Sequence, residues 1–218
     1  MRLAVTLFFA GALSGCQFQA PRSYLDQAFD NVVRQSEEMS CGAAAVATYI
    51  THVLRRPVTE ESVVEAVLAS ASPSRRARYA EHGLSLADLY EYGRSGGYRM
   101  SATKLSLDGL RRLARPVIVH LTILGYAHFA VLRAFRGGDA YVADPSYGNL
   151  VLSEQQFAAV WNDGVILLME PRDYAWPRNA MALQPNENLA SMTSSALVHQ
   201  VAWLPDAIEK SLAKGRIF

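Results

Sequence analysis

Apolar positions along this chain change their spacing near residue 115, from helical intervals to short continuous runs broken by glycine. In the first half, Ala43, Ala47, Ile50 and Leu54 share one face of a helix predicted from Cys41 to about Leu54. Its first turn holds small residues, which let a sheet approach closely. A second helix is predicted to start at the capping residue Thr59, followed by Glu60 and Glu61, and to bury Val63, Val64, Val67 and Leu68. Ser85-Leu86-Ala87-Asp88 has the pattern of a capping box and opens a third helix that ends between Gly93 and Gly97. Between these two, the polar, arginine-rich stretch Ser74 to Gly83 reads as a mobile loop bordering a groove.

The second half reads as β-structure. A short strand at Arg99 to Ala102 and a short helix at Asp108 to Leu113 lead into the run Pro116 to Ile123. After a turn at Gly125-Tyr126, a second strand covers His128 to Phe135; after Gly137-Gly138, a third covers Ala140 to Ala143. Asn149 to Leu152 forms a fourth, a helix capped by Ser153 carries Phe157 and Trp161, and Val165 to Met169 closes the sheet. The class expected is α+β, helices first and antiparallel sheet second. From Pro171 onward the periodicity fades, with Pro177, Pro185 and Pro205 spaced through the tail; Ala196 to Leu204 reads as a short helix packed on the domain.

Length and charge narrow the picture. With 218 residues, half of them apolar, the chain suffices for one well-buried domain plus extensions. A net charge of +1 provides no basic field for nucleic acid, and Arg75-Arg76-Ala77-Arg78 reads as a solvated stretch. Residues 1–15 have the layout of a bacterial secretory signal: Met1-Arg2, the apolar run Leu3 to Leu13, then Leu13-Ser14-Gly15-Cys16. That last box is similar to a lipoprotein signal-peptidase site and makes Cys16 the expected lipidation point. Gln17 after it implies outer-membrane sorting in a Gram-negative cell. The expected organisation is therefore a signal (1–15), a tether (16–27), a domain (28–170) and a C-terminal extension (171–218), located in the periplasm with membrane contact through the N-terminal lipid only. The alternative is ordinary signal cleavage that discards Cys16. Either way Cys41, the other of two cysteines, has no intramolecular partner and no disulfide framework is expected.

A lone cysteine among small residues is by itself an ordinary core feature, and here its position at a helix start gives it more meaning. Unpaired N–H groups and the partial positive charge of a helix N-terminus favour the thiolate, the nucleophilic form. Such a nucleophile needs a base, a group that orients the base, and donors for an oxyanion. His128, at the start of a strand after a glycine turn, suits the base; His120 reads as a satisfied sheet residue and His52, His82 and His199 lie away from the helix start. Asp144 ends the strand paired with that of His128 and suits the orienter. Parity decides its face: a two-residue Gly137-Gly138 loop puts Asp144 opposite Val131, whereas a longer loop or a bulge puts it opposite Ala130, diagonally beside His128. The longer loop or a bulge is predicted. The alternative role for Asp144-Pro145 is simply to start a turn. Gln35, six residues before Cys41, is placed to donate its amide beside the Cys41 backbone N–H. Glu37 and Glu38 near the thiol oppose its ionisation unless solvated. His120, His128 and Asp144 match no metal-ligand spacing, so neither metal nor cofactor is expected.

The stretch Gln35 to Ala44, the strand Gly125-Tyr-Ala-His128-Phe-Ala-Val-Leu132, and Tyr141-Val-Ala-Asp144-Pro-Ser-Tyr-Gly148 followed by Leu152-Ser-Glu-Gln-Gln-Phe157 and Trp161 together resemble the bacteriocin-processing, double-glycine cysteine peptidases. The resemblance spans about Val33 to Leu168. It implies a papain-like fold, Cys41 as nucleophile, His128 as base, Asp144 as orienter and Gln35 in the oxyanion hole, with cleavage after a small pair such as Gly-Gly. Ser40 stands where that family usually has Asp, a change beside the nucleophile that removes no catalytic group. Usual members are parts of peptide exporters, whereas the export signal here resembles stand-alone members encoded with functional amyloid secretion systems. An exported protein or peptide is thus the expected substrate and a secretion system the implied partner. Two alternatives remain: a cell-wall peptidase, whose members typically use a second His as orienter, and a non-cleaving binding or chaperone module on the same fold.

Overall fold

The computed structural model describes residues 23–172 except Ala114, Leu124 and Asn162. The expected signal, Cys16, the extension beyond residue 172 and its helix at Ala196 to Leu204 lie outside the described residues. Within the expected tether, Ser23 and Asp26 cap each other and start a short helix, α1 (Tyr24–Ala28).

The helix that begins at Cys41 is α2 (Cys41–Thr48), which runs on as one π-helical segment over Tyr49–Val53. In that widened segment Thr51 turns its hydroxyl out of the helix to exchange hydrogen bonds with the backbone of Val58. Thr59 caps α3 (Glu60–Ala69) through Ser62 N–H, and Ser85 and Asp88 form the predicted capping box of α5 (Leu86–Ser95). The stretch Ser74 to Gly83, expected as a mobile loop, is instead helix α4 (Pro73–His82). Ser72 caps it, Pro73 takes the first turn, where a missing N–H costs nothing, and Arg75 and Arg78 pair with Asp88. No residue of α4 is buried, which is why hydrophobic spacing did not reveal it.

The sheet is fully antiparallel, in the order β1-β6-β2-β3-β4-β5, from β1 (Tyr98–Lys104), β2 (Val117–Ile123), β3 (Tyr126–Arg136), β4 (Asp139–Asp144), β5 (Gly148–Ser153) and β6 (Val165–Pro171). Helices α6 (Leu107–Leu113) and α7 (Glu154–Val160) complete the described elements. Both faces are covered, so β2 is apolar almost throughout. On one face Val46, Tyr49, Ile50, Val63 and Leu89 pack on Ile118, Phe129, Val131 and Leu167. On the other, Leu110, Phe157, Val160 and Trp161 pack on Val119, Leu121, Leu132 and Val142. Truncating a fully buried ring such as Phe157 to alanine removes about 3–5 kcal/mol from a core of this kind.

The β3–β4 hairpin carries the register on which the site depends. Arg136 opposes Asp139 across the two-residue Gly137-Gly138 turn, but the pairing shifts between Leu132 and Ala134, leaving Arg133 as a bulge. Beyond the bulge Val131 opposes Ala143, which brings Asp144 level with Ala130 and diagonally beside His128. Arg133 is buried, with its guanidinium on the Asn149 side-chain oxygen and the Asn31 carbonyl. The Asn149 amide in turn donates to the carbonyls of Ala28 and Asp30, so the bulge is tied to the chain after α1.

Candidate active site

Cys41 is the first residue of α2, partly buried at the mouth between the helices and the sheet. Ser40 before it is buried and does not cap the helix: its hydroxyl donates to the Glu37 carbonyl at 2.7 Å. The Ser40 side chain thus leaves the N–H groups of the first turn of α2 unbonded by it, and the partial positive charge of the helix start acts on the adjoining sulfur. Gly42 lets the helix start this close to the sheet, since a Cβ there would lie 3.3 Å from the side chains of Leu89 and Phe129.

His128 comes from the third position of β3, with only 12% of its side chain exposed. Its Nε2 lies 2.9 Å from Asp144 Oδ2, and the Cys41 side chain is near enough to the same ring to favour its charged form. With Nε2 taken by the carboxylate, Nδ1 is the ring nitrogen left for sulfur. Burial alone would lower the imidazole pKa, but the Asp144 charge and hydrogen bond, joined by the Cys41 side chain, raise it from 6.5 to about 10. The ring thus keeps its proton through neutral pH. Asp144 is fully buried at the end of β4. Its second oxygen, Oδ1, accepts the N–H groups of Ser146 at 2.8 Å and Tyr147 at 3.1 Å. The Asp144-Pro145 turn and the contact with His128 therefore coexist, one on each carboxylate oxygen. The turn closes at Gly148, whose φ of +82° and position against the Ala28 carbonyl, 2.4 Å from where a Cβ would stand, leave room for glycine alone.

Gln35 lies in the loop that leads to α2. Its backbone N–H donates to the Pro145 carbonyl at 3.0 Å and its Oε1 accepts the Ser146 hydroxyl at 2.6 Å. Its Nε2 donates to the carbonyls of Glu37 (2.9 Å) and Glu38 (3.1 Å), so in this structure the amide points into its own loop. Glu37 and Glu38 are exposed, and solvent screens their charges from the thiol.

Among the other histidines, His120 is half-buried, tilted against Phe129 with 5.1 Å between centroids, and bonded through Nδ1 to Asp163 rather than drawn toward His128 and Asp144. Among the described residues, no group of three or more His, Cys, Asp or Glu side chains is placed to hold a metal ion. His52 lies in the π-helical segment and His82 ends α4, while His199 is outside the described residues. Three contributors were not singled out from the sequence. Ser146 contacts both Asp144 and Gln35; Asp163 partners His120; and the buried Glu60 carboxylate accepts the Ser36 N–H and pins the loop before α2. Only Ser146 left a local signal, as a hydroxyl inside an Asp-Pro-Ser-Tyr-Gly turn.

A thiol at a helix start, beside an imidazole that is hydrogen-bonded to a buried carboxylate, has the parts that nucleophilic acyl transfer uses. In agreement with that geometry, residues 30–174 match the Peptidase C39 family. The chain belongs to the Peptidase C39 family, and so to a family of cysteine peptidases. It is 32% identical over 177 residues to the "Probable functional amyloid protease FapD" of Pseudomonas aeruginosa, covering 81% of this chain and 76% of that protein. Among solved structures it resembles a double glycine motif protease from an AMS/PCAT transporter, crystallised with the leader peptide, with a TM-score of 0.51 and 23% identity over 64% of this chain and 90% of that one. It also resembles the peptidase domain of Streptococcus ComA, a bi-functional ABC transporter, with a TM-score of 0.54 and 18% identity over 65% of this chain and 98% of that one. These two likenesses establish the α+β, papain-like peptidase fold expected from the sequence. Among the described residues, no helix is long and apolar enough to cross a membrane.

Proposed function

We propose that this C39 family member is a cell-envelope cysteine endopeptidase that cuts an exported protein or peptide after a small pair of the Gly-Gly kind. The observation that carries this reading is the hydrogen bond from His128 to the buried Asp144, with Cys41 near the same ring at the start of α2. In the proposed mechanism the Cys41 sulfur attacks the scissile carbonyl, and the oxyanion takes the Cys41 N–H and one Gln35 Nε2–H. His128 passes its proton to the departing amine, leaving a thioester. Water then attacks with His128 as base, which releases the new carboxyl end and restores the thiol. Asp144 holds the ring in the tautomer and direction that both half-reactions need. No cofactor takes part.

Similarity to an amyloid protease supports a client of a secretion system, and the signal layout with Cys16 supports attachment to the outer membrane by lipid. A cell-wall peptidase with a second histidine as orienter fits less well, because the group on His128 is a carboxylate. Terminal-peptide mass spectrometry of the envelope and secreted proteins tests the reading by comparing parent cells with Cys41→Ala cells. A client terminus following a small pair is expected in the parent alone, together with a lipid-modified mature N-terminus at Cys16. Identical termini in both strains contradict the peptidase reading, and an unmodified N-terminus elsewhere contradicts the anchor.

A further inference from the structure

Ser146 is a described residue that touches both the carboxylate holding His128 and the side-chain amide of Gln35 in the loop before Cys41. Its N–H donates to Asp144 Oδ1 at 2.8 Å, and its hydroxyl donates to Gln35 Oε1 at 2.6 Å. The two bonds join two distant segments of the chain, since Asp144 ends a strand and Gln35 belongs to the loop before α2. We infer that Ser146 is a positioning residue that fixes the Gln35 amide as an oxyanion donor and couples it to the Asp144 turn. This inference rests on the peptidase reading above.

Three features support it. First, the hydroxyl sets the orientation of the amide. With Oε1 taken by an O–H donor, Nε2 must face the Glu37 and Glu38 carbonyls, and a flipped amide would set oxygen against those two oxygens. Second, a donor on Oε1 polarises the amide and strengthens its N–H groups toward any acceptor at the other end. Third, one of the Nε2–H bonds is easily surrendered. The Glu37 carbonyl also accepts the Ser40 hydroxyl at 2.7 Å and the Ser40 N–H at 3.3 Å, so it stays satisfied when Gln35 turns a hydrogen toward a developing oxyanion. Gln35 is thereby held ready, and its backbone stays fixed through the bond from its N–H to the Pro145 carbonyl.

Two reactions of the same sulfur separate this role from a general one in folding or thiol activation. Acylation of Cys41 by p-nitrophenyl acetate forms a thioester, expels nitrophenolate and passes through an oxyanion; alkylation by iodoacetamide displaces iodide and has no oxyanion. Removing one oxyanion donor typically costs about 10²–10³ in rate, and loosening one costs less. Ser146→Ala should therefore slow acylation by about tenfold, with less than about a twofold change in alkylation at any pH. Ser146→Thr, which keeps the hydroxyl, should restore acylation. In a Gln35→Ala background, Ser146→Ala should cost nothing further, because the two groups act as one unit.

Wild-type acylation in Ser146→Ala overturns the inference, as do losses that add in the double variant. So does an alkylation rate that falls in step with acylation, which would mean that the residue acts through Asp144 or the fold. A wild-type protein acylated no faster than Cys41→Ala overturns the peptidase reading itself.

Discussion

His128 illustrates how two neighbours reverse what burial dictates for a side chain. An imidazole so little exposed would shed its proton below neutral pH, yet the Asp144 carboxylate and the Cys41 side chain hold the proton up to about pH 10. The sign of the linked stability follows. The folded pKa exceeds the unfolded 6.5, so the stabilisation is complete below pH 6.5 and fades as pH rises through about 10. Asp144→Asn removes the charge and keeps the shape. We predict that the His128 ring, followed by NMR, titrates in that variant well below the wild-type value, and that the alkaline fall in stability and activity moves down with it. A ring that still titrates near 10 in Asp144→Asn would remove the carboxylate from the account.

Helix α4 and the bulge in β3 show two different limits on what a sequence reveals about an element. The strands, the capping box at Ser85, the cap at Ser153 and the start of α2 were legible because each rests on neighbours within four residues. Parity arithmetic on His128 and Asp144 required a longer loop or a bulge, and the chain adopts the bulge, at Arg133. Helix α4 was missed because it buries nothing and is held by charge across the chain, with Arg75 and Arg78 on the buried Asp88 carboxylate. Asp88 also caps α5, so Asp88→Ala breaks a cap and leaves two arginines without their acid. A loss of about 3 kcal/mol is expected, read as a fall in Tm of roughly 10 °C. Iodoacetamide labelling of Cys41 below the transition should persist. A Tm within about 2 °C of wild type would show that α4 is held by something other than this network.

At the scale of the whole molecule, one sheet wrapped by helices on both faces brings together residues that are distant in sequence. Gln35 lies in the loop before α2 and Cys41 at its first residue, while His128 and Asp144 sit on the sheet, bonded to each other, and Ser146 ties their turn to Gln35. The candidate residues Cys41, His128 and Asp144 were legible because a cysteine at a helix start, a histidine and an aspartate follow one another in an order that resembles a known peptidase family. Ser146, Glu60 and Asp163 were not, since each acquires its role from a partner more than fourteen residues away. The β1–β6 and β2–β6 pairings likewise join segments with no local signal between them.

The account stands on the Cys41 sulfur being activated by His128. Its most direct test is the rate of Cys41 alkylation by iodoacetamide as a function of pH, in the wild type and in His128→Ala. The wild type is predicted to react readily near neutral pH and His128→Ala to lose that reactivity, labelling appreciably only at alkaline pH. Superimposable pH profiles for the two proteins would contradict the pairing and the proposed mechanism with it.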